Sequence, residues 1–67
     1  MSISTIQALD VAIELATAKA ETYKFAARME EQEISDAPDI RRDAARYRAL
    51  RDVIDALKQI RRGFQNG

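Results

Sequence analysis

"EISDAPDI", residues 33–40, is the only stretch that interrupts an otherwise helix-forming chain of 67 residues. Pro38 has no backbone N–H to donate and pushes Ala37 away from helical geometry. Ser35 and Asp36 are residue types whose side chains cap a following helix. Pro38 then falls in the first turn of that helix, where a missing N–H does little harm. Asp39 adds a negative charge at the positive end of the helix dipole. Reading outward from this break predicts one domain: a helix over residues 5–33, a turn at 34–37 and a second helix over residues 37–62. Ser4 or Thr5 is placed to cap the first helix. Gly63, after the basic pair Arg61 and Arg62, is a reasonable stop for the second, leaving a flexible tail at 63–67. Two helices of similar length joined by a short turn predict an all-α fold, an antiparallel helical hairpin.

Composition narrows the chemistry. The chain has no Cys and no His, two Gly and one Pro. Disulfides are therefore impossible, a zinc site is not expected, and the common nucleophile–base pairs have no members. No glycine-rich phosphate loop is present. "MEEQE", residues 29–33, sets Glu30 and Glu33 one turn apart, the spacing of two ligands to a magnesium ion. A site of that kind needs further carboxylates from facing helices, and the second helix carries only scattered aspartates. These glutamates read as a solvated helix end. The expectation is a protein that is not an enzyme and needs no cofactor or metal. No apolar run approaches the ~20 residues of a membrane span, and Met1 to Leu9 carries no secretory signature. No membrane partner and a cytoplasmic location are expected.

Apolar spacing separates the helices. Ile6, Leu9, Ile13, Ala16, Ala20, Tyr23 and Ala27 follow the alternating three- and four-residue steps of a coiled-coil seam. A second stripe runs through Val11, Leu15, Ala18, Thr22, Phe25 and Met29. With the alanines between them, the stripes spread over roughly 240° of the helix, where an ordinary surface helix has an arc of about 100° or more. On the second helix Ile40, Tyr47, Leu50, Ile54, Leu57 and Phe64 make a narrower band, with Val53 and Ile60 beside it. One hairpin leaves the second stripe of helix 1 in water. A second copy, giving a four-helix bundle, is the simplest cover, so a homodimer is expected. Its core or dimer contacts would be Ile6, Leu9, Val11, Ile13, Leu15, Tyr23, Phe25, Met29, Leu50, Ile54 and Leu57.

Charge is divided between the halves. Residues 1–36 hold seven acids and three bases, and residues 37–67 hold four acids and eight bases, which leaves the chain neutral. The acidic first helix and basic second helix complement each other across the hairpin. Local pairs of Arg48 with Asp52, Arg51 with Asp55, and Asp39 with Arg42 are also expected, each contributing a few tenths of a kcal/mol. Tyr47 sits among arginines, and both residue types are favoured at binding hot spots. Arg41, Arg46, Tyr47, Arg48 and Arg51 are therefore the candidate partner-binding residues.

The hairpin plan, with "SDAPDI" at residues 35–40 as its short acidic turn, resembles that of the Rop family of plasmid copy-number regulators. The resemblance spans the plan of the hairpin, without a shared RNA-contact motif. It implies a bundle of two hairpins that presents one face to paired RNA. The residues themselves point to a non-catalytic, protein-binding regulator, inhibitor or adaptor that acts through helical surfaces of a homodimer. A Rop-like RNA- or DNA-binding regulator is the alternative.

Overall fold

The computed structural model describes residues 4–66. They form two helices, α1 (Thr5–Glu31) and α2 (Pro38–Asn66), packed side by side as an antiparallel hairpin. The molecule measures 46 × 24 × 12 Å, so it is a slab two helices wide and one helix thick. A slab of this thickness has no second layer, and each helix has a single neighbour.

The start of α1 is closed by a reciprocal cap. The Ser4 hydroxyl accepts from the Gln7 backbone N–H at 3.2 Å, and the Gln7 side chain accepts from the Ser4 backbone N–H at 3.3 Å. Two of the N–H groups that a helix start leaves without partners are satisfied this way.

The other end of α1 is closed by backbone alone. Glu33 N–H donates to the Glu30 carbonyl at 3.1 Å and Ile34 N–H donates to the Met29 carbonyl at 2.9 Å. This paired arrangement is the Schellman motif, which needs a left-handed residue just past the helix end. Glu33 takes that role with φ 56°. A side chain in this region costs roughly 1–2 kcal/mol relative to glycine. The helix therefore stops at Glu31, short of the predicted residue 33.

The turn also differs in detail from its expected chemistry. Ser35 serves the connection itself, its hydroxyl accepting from the Ala37 N–H at 3.3 Å. The first bond into α2 runs from the Arg41 N–H to the Ala37 carbonyl at 2.9 Å. Pro38 opens the helix, where its fixed φ suits the first turn.

At the far end α2 does not stop at Gly63. It continues to Asn66, so residues 63–66 are helical rather than a flexible tail, and Gly67 lies outside the described residues. Gly63 has no positive φ, and a Cβ at its position would meet nothing within 4 Å. With no left-handed turn imposed there, glycine lowers helix propensity by about 1 kcal/mol without ending the helix.

The interface between the helices is made of small residues. Ala20, Ala26 and Ala27 of α1 and Ala44 and Ile54 of α2 are the buried hydrophobic residues. Ala44 is 0% exposed and Ala27 3%. Ile6, Leu9, Ile13 and Tyr23 on α1, and Ile40, Tyr47, Leu50 and Leu57 on α2, are half-buried around them. Alanines allow the backbones to approach, but each buries one methyl group, worth about 0.8 kcal/mol by area.

Candidate interaction surface

The two flanks of the slab differ chemically. On one, shallow open grooves run between the helices. Thr17, Glu21 and Lys24 of α1 face Arg51, Asp55 and Lys58 of α2 along the middle of this flank. Toward the open end Asp10 faces Lys58, Arg61 and Arg62. Among the described residues no group of three or more potential metal-ligating side chains comes together, and Glu30 and Glu33 gain no carboxylate partner from α2. No helix of the described residues is long and apolar enough to cross a membrane.

Cross-helix charge pairs join the acidic and basic halves. Arg48 Nη2 donates to Glu30 Oε1 at 2.5 Å near the turn. Arg61 Nε lies 2.5 Å from Asp10 Oδ1 near the open end. Its buried Nε makes no hydrogen bond, so this second pair is an ion contact whose N–H is not aimed at the carboxylate. Both pairs are partly open to water, which limits each to roughly 0–1 kcal/mol. Their importance is directional, since each can form only when the helices dock antiparallel in this register.

The expected local pairs do not form. Arg48 turns to Glu30 instead of Asp52, and Arg42 lies 3.4 Å from Asp43 instead of reaching Asp39. Arg51 donates from Nη1 to the Tyr47 hydroxyl at 3.1 Å rather than to Asp55. That bond, with a smaller electrostatic contribution from Asp55, raises the pKa of Arg51. Long, exposed side chains have many rotamers of similar energy, so helical spacing alone does not choose among neighbouring acceptors.

The candidate partner-binding residues are distributed over the molecule. Arg46 is 3.9 Å from Asp43, and its guanidinium lies 5.7 Å from the centre of the Tyr23 ring on the other helix. Lys19 Nζ approaches the same ring, also at 5.7 Å. Two cations on one aromatic ring, each worth about 0.5–1 kcal/mol at an exposed site, help fix Tyr23 in the hairpin. Tyr47 is half-buried, and its ring lies 5.9 Å from the Arg51 guanidinium along the polar groove. Arg41 and Arg48 stand apart from these contacts. With Arg42 and Ala45 they line an open surface at the turn end, beside Glu30 and Pro38. Arg41 makes no ion pair among the described residues.

The other flank is apolar. Leu50, Val53, Leu57, Ile60 and Phe64 recur at steps of three and four along α2 and so share one face. Val53, Ile60 and Phe64 are exposed, and Leu50 and Leu57 half-buried. On α1 the stripe of Val11, Leu15, Ala18, Thr22 and Phe25 lies round toward the edge turned away from Ala20 and Ala27, and it is exposed along its length, with Leu15 66% and Phe25 68% exposed. Met29 at its end is half-buried. Ile34 in the turn adds another exposed apolar side chain. The signal for this surface was the repeated three–four spacing on each helix, which on α2 extends through Val53, Ile60 and Phe64.

Searches of protein-family models, of curated proteins and of solved structures returned no match to this chain.

Proposed function

We propose that this chain is a non-catalytic interaction module of the cytoplasm, a small regulator, inhibitor or adaptor that works as a homodimer and presents helical surfaces to a target protein. One observation carries the reading. Large apolar side chains stand in water on a slab one helix thick, at the spacing by which helices dock on other helices. On a soluble protein, large apolar side chains exposed at regular helical spacing form the kind of surface that marks an interaction site.

The target-binding part is the arginine surface at the turn end. Arg41 and Arg48 are exposed there, and an open surface shared with Pro38 and Ala45 suits a carboxylate-bearing protein segment. Arg48 already holds Glu30, so a target carboxylate would exchange for an internal one.

The test is affinity capture from host lysate with the wild-type chain and with an Arg41→Glu, Arg48→Glu double variant. The expected result is a protein retained by the wild type and lost by the variant, with the circular-dichroism spectrum unchanged. Recovery of RNA or DNA, bound with an affinity that falls steeply with salt, would overturn the protein-binding reading.

A further inference from the structure

We propose that a second copy of this chain covers the apolar flank, and that the two α1 helices lie at the centre of the resulting four-helix bundle with the α2 helices outside. This rests on the reading of the chain as a self-associating module and adds the face and the order of the helices.

The argument is a count of neighbours. At 100° per residue, the apolar arc of α1 runs from Ile13, Ala20 and Ala27 through Ala12, Ala8 and Leu15 to Val11 and Phe25, roughly 240° in all. The arc of α2, from Ile40 and Tyr47 through Ile54 and Leu57 to Val53 and Ile60, is roughly 160°. One packed neighbour accounts for an arc of about 100°, and in a close-packed array each further neighbour, set about 60° round the helix axis, widens it by about 60°. By this measure α1 is built for three neighbours and α2 for two. The hairpin gives each helix one. Four helices packed as a rhombus have two members on the short diagonal with three neighbours each, and two on the long diagonal with two each. Two copies of this hairpin fill that arrangement when both α1 helices take the short diagonal.

Charge favours a second copy over a foreign helix pair. Each α1 then meets an α2 on both sides, its own and its partner's. The half with seven acids and three bases faces the half with four acids and eight bases at both contacts. The net charge of the chain is zero, so no overall repulsion opposes the pairing. Lys19 and Glu30, charged residues within the apolar arc of α1, are both engaged in the hairpin: the Lys19 ammonium approaches the Tyr23 ring and Glu30 holds Arg48.

The hairpin's own interior also falls short of what a chain of this length needs. Among the described residues it buries four alanines and one isoleucine, and no large side chain completely. Small domains without disulfides or metals usually make up that deficit by association.

Sedimentation equilibrium on the full chain should give twice the 7.6 kDa chain mass. Leu15→Glu and Val53→Glu should each weaken association by about 100-fold or more, while Gln59→Glu, on the polar side of α2, leaves the mass unchanged. Loss of fold with loss of association in the two glutamate variants would still be distinguished from a simple folding defect by a second measurement. The chain has no cysteine, so Glu21→Cys and Asp52→Cys provide single spin-label sites on exposed positions near the middles of α1 and α2. The Glu21→Cys pair across the dimer should be closer than the Asp52→Cys pair. A folded wild-type monomer would assign the flank to a different partner and overturn the proposal. A dimer with the α2 labels closer would overturn the order of the helices. A dimer with the expected spacings that captures no target protein would leave this arrangement standing and remove the regulator reading.

Discussion

The inner and outer faces of α1 differ in what they cover completely. The inner face, against α2, buries Ala20, Ala26 and Ala27, and the outer face sets Val11, Leu15 and Phe25 in water. In an isolated globular domain the larger side chains would be inside, because burial free energy scales with apolar area. The inversion teaches that the hairpin is closely packed at its alanines but covers few large side chains. Its alanines set the distance and register of the two helices, Leu9, Ile13 and Tyr23 are half-buried around them, and Val11, Leu15 and Phe25 are left open to water.

The sharpest way to break this comparison is to truncate one large residue on each side of it. Ile54 is the one large buried residue of the hairpin interface. Ile54→Ala should cost roughly 2–5 kcal/mol in denaturant unfolding, or prevent folding. Leu15→Ala should cost a comparable amount at concentrations where the chain is dimeric, with a midpoint that depends on concentration. If Leu15→Ala stays within about 0.5 kcal/mol of wild type at every concentration, the outer face is ordinary surface.

The next effect is overpacking. Ala44 has no accessible surface, so Ala44→Leu must push the helices apart. The expected cost is roughly 1–3 kcal/mol, read from the thermal midpoint. Tolerance of leucine there would mean that the alanines do not set the helix spacing.

Two smaller predictions concern residues outside both faces. Glu33→Gly should stabilise by about 1 kcal/mol, because glycine takes the left-handed geometry of the Schellman motif without steric cost. A destabilised Glu33→Gly variant would show that the glutamate side chain contributes more than its backbone costs. Gly63→Ala should stabilise by up to about 1 kcal/mol and raise helicity, since Gly63 is helical with open space at its Cβ. No gain in helicity would place the end of α2 nearer to Gly63.

What was legible in the sequence follows from how local each signal is. The hairpin, its break around Pro38 and a cap at Ser4 or Thr5 rest on backbone chemistry within a few residues, whereas the part Ser35 plays in the turn needed the structure. The stop at Glu31 was not legible, because the left-handed residue that makes it is a glutamate, not the glycine that usually marks such a site. The run of α2 past Gly63 was missed for the converse reason, a glycine with no turn to make. The general complementarity of the halves was legible from charge counts. The particular partners of Arg48, Arg51 and Arg61 depend on rotamers and on the register of docking. The candidate surface was legible as spacing on α1. Its extension over α2 needed the fold, which separates the polar groove flank from Val53, Ile60 and Phe64.

The single turn also sets an order in time. The Arg48–Glu30 contact closes a short loop near the turn, and the Arg61–Asp10 contact closes one of roughly three times the length. From an open chain the longer closure carries about 1 kcal/mol more entropy loss. Once the turn end has docked, each further pair is brought together by a helix already in place, and that excess is spread over many small steps. A chain built this way closes from Pro38 outward like a zipper, and the ends of α1 and α2 furthest from the turn are the last to join and the first to open.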